Sequence, residues 1–429
     1  MARLMKDSGI PWIGEIPLTW NTNTVFQIFT QVKNKNDGLR EKNLLSLSYG
    51  KIKRKNIDTT DGLLPESFDG YNVIENGDIV LRLTDLQNDQ KSLRVGLAPE
   101  RGIITSAYLT IRNRSNSLSE YLYYYLHAFD ISKGFYGMGA GVRQGLNWDG
   151  IKWLQILTPS VSEQQRIANF LDAECARIDA IIEQTRATVE EYKKLKQSII
   201  TQAVTKGIRH NRPMKDSGIE WIGGMPNDWL LTKVKYVSSL VTDGAHVSPE
   251  TENGVYDFVS TVNIDGNKID FDNCLKTSIS SYNYLVSTGC KPQIGDVLIS
   301  KDGTVGKTVI VNEERDFVVA SSLVIIRPKQ EMISSEYLNY FLQSKTVQDT
   351  LLLLIHGAGL KRVSVAKNAN LTLLLPDKEE QHEIVNYLND KCKAIDLLIL
   401  KKEQYLLELD SLKKALIFEY VTGKKEAPL

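Results

Sequence analysis

The stretch MKDSGIPWIGEIPLTW (Met5–Trp20) returns as MKDSGIEWIGGMPNDW (Met214–Trp229), keeping MKDSGI, Trp-Ile-Gly, a proline and the closing tryptophan in register. The second half goes on to follow the first. GDIVL at Gly77 answers to GDVLI at Gly295, and SAYLTIR, ending at Arg112, to SSLVIIR, ending at Arg327. SEYLYYYL at Ser119 answers to SEYLNYFL at Ser335, and GAGVRQ at Gly139 to GAGLKR at Gly357. TPSVSEQQRIANFLDAECARID at Thr158 answers to LPDKEEQHEIVNYLNDKCKAID at Leu375. A period of about half the chain is no solenoid, whose units run about 20–50 residues. It indicates two domain-sized modules, which in one chain tend to pack about a pseudo-two-fold axis, as a homodimer would.

Each module has two parts. The first mixes short strands with turns: GDIVLRL and VLISKDGTVGKTVIVN are β-rich runs bounded by Gly and Asp. SEYLYYYLHAF and SEYLNYFLQS read as helices with a Ser N-cap. The second part is a long helix after a proline. In the first module, Leu171, Ile178, Thr185, Tyr192 and Ile199 recur every seven residues, with Ile181, Thr188 and Leu195 as a second row. In the second, Leu388, Ile395, Lys402, Leu409 and Leu416 do so, with Leu398, Tyr405 and Leu412. A sustained heptad marks a coiled-coil seam, here over Glu163 to Val204, roughly 63 Å of helix. A long helix packed on its own domain could carry such a pattern. Its presence in both modules favours the two helices packing on each other, in an α+β fold.

The 429 residues suit about three domains by length alone. Hydrophobic content of 42% with 24% charged residues is an ordinary globular balance. No apolar run reaches the about 20 residues that span a bilayer, and MARLMKDSGIPW lacks the apolar stretch of a signal peptide. Cys175, Cys274, Cys290 and Cys392 form no CxxC pair, so neither a zinc site nor a disulfide framework is indicated. The expected location is the reducing cytoplasm. Lys+Arg and Asp+Glu both number 52. A lone nucleic-acid binder usually carries a basic excess, so the partner is not nucleic acid, or the basic groups are local, or another subunit supplies them.

Catalytic chemistry is hard to find. DGTVGKT (Asp302–Thr308) ends like a phosphate-binding loop, but GxxxxGK[ST] needs glycine where Lys301 stands, and the following VIVN reads as a strand where a helix is required. HEIVN at His382 opens like HExxH, but its fifth residue is Asn386, so His382 reads as a solvated helix residue. His127, His210, His246 and His356 are scattered. Cys175 and Cys392, repeat equivalents without a nearby histidine, read as small core residues rather than nucleophiles. No cofactor site is expected.

Basic clusters do stand out: Lys51, Lys53, Arg54 and Lys55 in YGKIKRKN; Arg82 just after GDIVL; Lys301 and Lys307 around the DGT turn; and Arg143 answering to Lys361 and Arg362. Each alone is usually solvated surface charge. Their place in loops at matching points of two modules favours binding, since loops on a rigid scaffold concentrate such groups. Lys and Arg suit phosphates, and Arg also takes guanine bidentately.

The order and duplication of W-I-G-x-x-P-x-x-W, the GDIVL-like strands, the P-x-x-x-E-Q stretch and the closing I-D resemble the DNA-specificity (S) subunit of type I restriction–modification systems, over essentially the whole chain. The resemblance implies target-recognition domains at 1–157 and 208–375, each reading half of a split double-stranded DNA site. It implies spacer helices at 158–207 and 376–429, packed as an antiparallel coiled coil that docks two methyltransferase subunits and the restriction translocase–nuclease subunits. It further implies a non-enzymatic chain, with methylation, ATP use and cleavage left to those partners. The second module's loop is close to the family's RDGTxGK; the first departs from it with RLTDLQNDQ. Trp12, Trp20, Trp221 and Trp229 are expected to be core packing. Two alternatives stand beside this reading: the specificity part of another restriction type, and a scaffold that binds only protein.

Overall fold

The repeated phrase folds the same way twice. Met5–Asp7 pairs antiparallel with Glu15–Pro17, and Met214–Asp216 with Gly224–Pro226. Asp7 and Asp216 each accept a hydrogen bond from the glycine amide two residues on, at 3.0 Å, which tightens the turn. The computed structural model describes residues 3–57, 67–89, 91–138, 145–252, 254–355 and 361–428. The chain divides into two compact units, Met1–Thr185 with Gln404–Leu429, and Arg186–Glu403. Both are mixed α/β, and the two long helices, Val161–Lys206 and Lys378–Val421, each contribute to both units.

Each unit contains a four-stranded antiparallel sheet with the same order. In the first it runs Phe29–Gln31, Leu109–Asn113, Ile79–Leu81, Val95–Leu97. In the second it runs Ser238–Asp243, Leu323–Pro328, Val297–Ser300, Thr308–Ile310. The glycines before the third strand, Gly77 and Gly295, have φ of +84° and +86°, a region that costs a side chain dearly. The aspartates after them, Asp78 and Asp296, are 1% exposed. Arg112 takes Asp78 through two bonds of 2.7 Å, and Arg327 takes Asp296 through two of 2.8 Å. A buried carboxylate needs such a bidentate partner to offset its lost hydration. The GD and the closing arginine of the repeat are therefore structural.

The same holds for P-x-x-x-E-Q. Gln164 donates to the Pro159 carbonyl at 2.9 Å and accepts the Leu118 amide at 2.8 Å. Gln381 repeats this with Pro376 at 3.0 Å and Ser334 at 2.9 Å. Each glutamine thus ties the start of a long helix to the start of Ser119–Ile131 or Ser335–Gln343. The caps of these short helices lie one residue earlier than the expected serines. Ser334 accepts from the Tyr337 amide through its hydroxyl, which Leu118 lacks; in both modules the cap residue's own amide goes to the glutamine.

Trp20 and Trp229 are buried as expected, but Trp221 is 61% exposed. Its counterpart Trp12 lies against Tyr125, Phe129 and Phe418. At the matching places of the second module stand Phe341, Lys345 and Thr201. Two of the three aromatic partners are gone, so Trp221 has no apolar cage to enter.

Within each unit the long-helix segments run antiparallel. In the first, Asp179 accepts from Lys413 at 2.5 Å and Phe170 meets Tyr420. In the second, Lys196 donates to Asp396 at 2.6 Å, and Ile200, Ala203 and Val204 share a core with Ile384, Val385 and Leu388. The aspartate of each I-D pair thus faces a lysine on the other helix. The first expected heptad row is inward, with Leu171, Ile178, Thr185, Leu388, Ile395 and Leu409 buried. The second is displaced by one residue: Leu195, Leu398, Tyr405 and Leu412 are exposed, while Cys175, Val189 and Cys392 are buried. Apolar residues at both offsets from the first row left the sequence pattern two equally spaced choices. Burial pushes the Cys175 thiol up to about 11 and raises Cys392 as well, in keeping with core roles.

Candidate nucleic-acid interface

In the second unit the third strand, Val297–Ser300, runs into a turn that closes on the fourth, Thr308–Ile310. The DGT stretch is therefore followed by a strand, as its sequence suggests. Gly306 returns its amide to the Ser300 carbonyl at 2.9 Å, and Lys307 gives its amide to Ser300 Oγ at 2.8 Å. Lys301 does not reach out: it is 4% exposed, with Nζ 3.2 Å from Asp243 and 3.7 Å from Asp302. Asp302 in turn takes Arg362 through bonds of 2.7 and 3.1 Å, and this pairing raises the guanidinium pKa. Asp243 faces Nε2 of His246 at 3.0 Å. Lys307 is half-buried and donates to the Ile264 carbonyl at 2.8 Å. Lys361 is exposed, and its carbonyl accepts the Gly303 amide at 3.1 Å.

In the first unit the loop between the third and fourth strands is built on a different buried cation. Arg94 is 0% exposed and gives its guanidinium to the carbonyls of Arg82, Thr84, Asp85 and Asp89 and to the Tyr136 hydroxyl. Four backbone carbonyls converging on one guanidinium fix a loop that forms no strand of its own. Arg82 is left at the rim, a third exposed, 3.4 Å from Asp89. Hydrogen bonds from Ser92 hold the Asp89 carboxyl down at about 2. Sequence reasoning missed Arg94, since an arginine at a strand edge reads as surface.

The basic run Lys51–Arg54 is a strand of a hairpin with Leu45–Ser48. Lys51 pairs with Asp179 at 2.9 Å, and Arg54 with Glu100. Lys53 and Lys55 are exposed and make no ion pair among the described residues. Arg143 lies outside the described residues. The structure thus joins Lys301 with Arg362 through Asp302 of the DGT turn, and adds Asp243 and His246, which no sequence pattern marked. Their shared site depends on chain crossings far apart in sequence. Among the described residues no His, Cys, Asp and Glu side chains cluster as a metal site would require, and no helix is long and apolar enough to cross a membrane.

Residues 229–407 match the family model of the type I restriction modification DNA specificity domain. The chain carries this specificity domain. The resemblance read from the repeat is thereby borne out. Among curated relatives, the specificity subunit of the type I restriction enzyme EcoBI from Escherichia coli is 22% identical over 281 residues, which is 63% of this chain and 58% of that protein. A putative type I restriction enzyme specificity subunit of Haemophilus influenzae is 29% identical over 106 residues, 23% of this chain and 24% of its own length. The chain thus spans less than two thirds of the curated relatives it matches. Among solved structures, a chain from work on complex assembly and conformational transition of the type I restriction–modification system superposes with a TM-score of 0.70 at 17% identity, covering 96% of this chain and 99% of its own. That likeness is one of fold. The specificity domain's matched span takes in the Lys301 turn, His246 and Arg362.

Proposed function

We propose that the chain is the sequence-reading subunit of a type I restriction–modification complex, with each module, 1–157 and 208–375, reading one half of a split double-stranded DNA site. The observation that carries this reading is the loop between the third and fourth strands of the repeated sheet. In both units it is built on a buried cation, Arg94 or Lys301, and leaves an arginine at its surface, Arg82 or Arg362. Such a loop can bring donors to phosphates and base edges while its own backbone stays fixed. Lys51, Lys53, Arg54 and Lys55 extend the first surface, and Lys307 and Lys361 the second; Arg143 joins them by its place in the repeated sequence alone. Lys301 acts from beneath.

The stretches 158–207 and 376–429 serve as the spacer, an antiparallel helix pair. Support comes from Asp179–Lys413 in one unit and Lys196–Asp396 in the other, whose residue numbers add to the same total. Exposed leucines on the second helix, Leu397, Leu400 and Leu407, suit docking of two methyltransferase subunits and the restriction subunits. The chain itself works in the cytoplasm without a cofactor, and methyl transfer, ATP use and cleavage belong to the partners.

The test is a module exchange. Replacing residues 21–150 with the same segment of a relative changes one half of the methylated motif and leaves the other half intact. A change in both halves, or in neither, defeats the modular reading.

A further inference from the structure

We propose that His246 and Arg362 together form a base-reading pair of the second module, held in place by the Asp243–Lys301–Asp302 chain of charges, centred on buried Lys301. This rests on the DNA-reading function proposed above.

The argument begins with cost. Lys301 is 4% exposed and Asp302 8%, and the side chain of Asp243 is 14% exposed. An ammonium and carboxylates taken out of water lose more hydration than their attraction commonly returns, so apolar side chains of similar size would serve stability at least as well. What the chain of charges does supply is geometry. Lys301 sits between the two carboxylates, and each carboxylate holds one exposed side chain, His246 at 71% and Arg362 at 55%. Two flexible surface groups are thus tied to one buried point, which lowers the ordering cost of binding.

The backbone holds the same points. Gly244 passes so close to the neighbouring strand that a Cβ there would lie 2.0 Å from the Val319 carbonyl oxygen. Only glycine fits, and Ala245 then bonds Val319 at 2.9 Å, which sets the direction of His246. On the other side, Val363 donates to the Lys301 carbonyl at 2.9 Å and Lys301 to Ser322 at 2.9 Å, so the segment carrying Arg362 and the DGT turn move as one.

The chemistry offered is complementary. Asp302 takes one N–H each from Nε and Nη2 of Arg362 and leaves Nη1 and the second N–H of Nη2 as a fork for an outward acceptor pair, the pattern of guanine N7 and O6. A carboxylate oxygen accepts, so in the neutral tautomer that bonds Asp243 the His246 proton sits on Nε2. Nδ1 is then an acceptor, suited to the exocyclic amino group of adenine or cytosine. In the first module the loop hangs instead on Arg94, whose guanidinium is spent on backbone carbonyls and Tyr136.

The experiment uses the assembled complex in cells and maps its methylated motif. His246→Ala and Arg362→Ala are each expected to relax the second half at one position, with discrimination there falling about tenfold, the range of a single good base contact. Lys301→Met relaxes both of those positions, and Asp302→Asn the Arg362 position alone. The first half stays unchanged in all four and reports that the complex is assembled. A second half read normally by both His246→Ala and Arg362→Ala overturns the pair. Equal loss over all second-half positions makes these residues structural and overturns it too. If the unaltered chain directs no motif at all, it is the DNA-reading function that fails, a result distinct from either.

Discussion

The indole Nε1 of Trp229 donates to Oε2 of Glu380 at 2.8 Å, and Glu380 is fully buried against Arg212. Trp20 and Glu163 repeat the bond at 3.0 Å, with Arg3 in place of Arg212. The last residue of the opening phrase and the glutamate of P-x-x-x-E-Q are thus two ends of one contact, joining a hairpin to a long helix. Trp229→Phe keeps most of the packing and takes the indole donor from a buried carboxylate, leaving Oε2 only the 3.2 Å bond from Arg212, which costs about 1–3 kcal/mol. Trp20→Phe should cost a similar amount. Denaturant unfolding of the full chain measures both; a loss under about 0.5 kcal/mol in each would make the bond incidental.

The register of the helix seam can be tested within one unit. Leu409 is 5% exposed and Leu412 47%. Leu409→Ala should destabilise by about 2–5 kcal/mol, the cost of an emptied core site. Leu412→Ala should stay within about 0.5 kcal/mol. Comparable losses at both positions would restore the second row that sequence spacing suggested.

Two groups on the Ser119–Ile131 helix oppose each other with pH. Burial pushes His127 down to about 4, with the charge of Lys413 adding to it. Burial lifts Asp130 to about 6 against the Arg94 amide and the charges of Arg94 and Lys133. Unfolded histidine titrates near 6.5 and aspartate near 3.9. Between about pH 4 and 6.5 the unfolded chain binds the proton that folded His127 refuses, so this group alone makes stability rise with pH. Over about pH 4 to 6 the folded state keeps the proton on Asp130, so this group makes stability fall as pH rises. The two nearly cancel. Asp130→Asn should unmask a rise of roughly 3 kcal/mol from pH 4 to 6.5, and His127→Gln a fall of similar size. Chemical denaturation across that range checks both signs.

The proposed spacer has a length, and length can be changed. Four residues inserted near Glu190 extend the helix by roughly 6 Å and add roughly 40° of rotation. That corresponds to about one or two base pairs at about 3.4 Å each and about 10.5 pairs per turn. The methylated motif of cells carrying the insertion should keep both half-sequences and widen the gap between them by that amount. An unchanged gap with full activity would remove the helices as a ruler.

Much of the scaffold was legible because it is local or repeated. The hairpin of MKDSGI…W, the strands after Gly77 and Gly295 and the two long helices all follow from short patterns that occur twice. The candidate site was only half legible. Arg362 and Lys301 were visible as basic residues, but the sequence could not tell that one is 55% exposed and the other 4%.

By itself, then, the sequence determined the repeat, the mixed α/β content, the long helices and the family resemblance, since each rests on residue spacing that the backbone obeys locally. Tertiary structure alone decided where the second heptad row lies, because Leu398 stands beside Ile399 and Tyr405 beside Leu406, and either offset suits the inner face until a partner helix covers one of them. It also decided that Trp221 stays outside while Trp12 is caged, because the cage comes from Phe129 and Phe418, a long way along the chain. And it made Lys301 a buried anchor rather than a surface cation, because Asp243 reaches it from another strand and a buried ammonium must have its carboxylate.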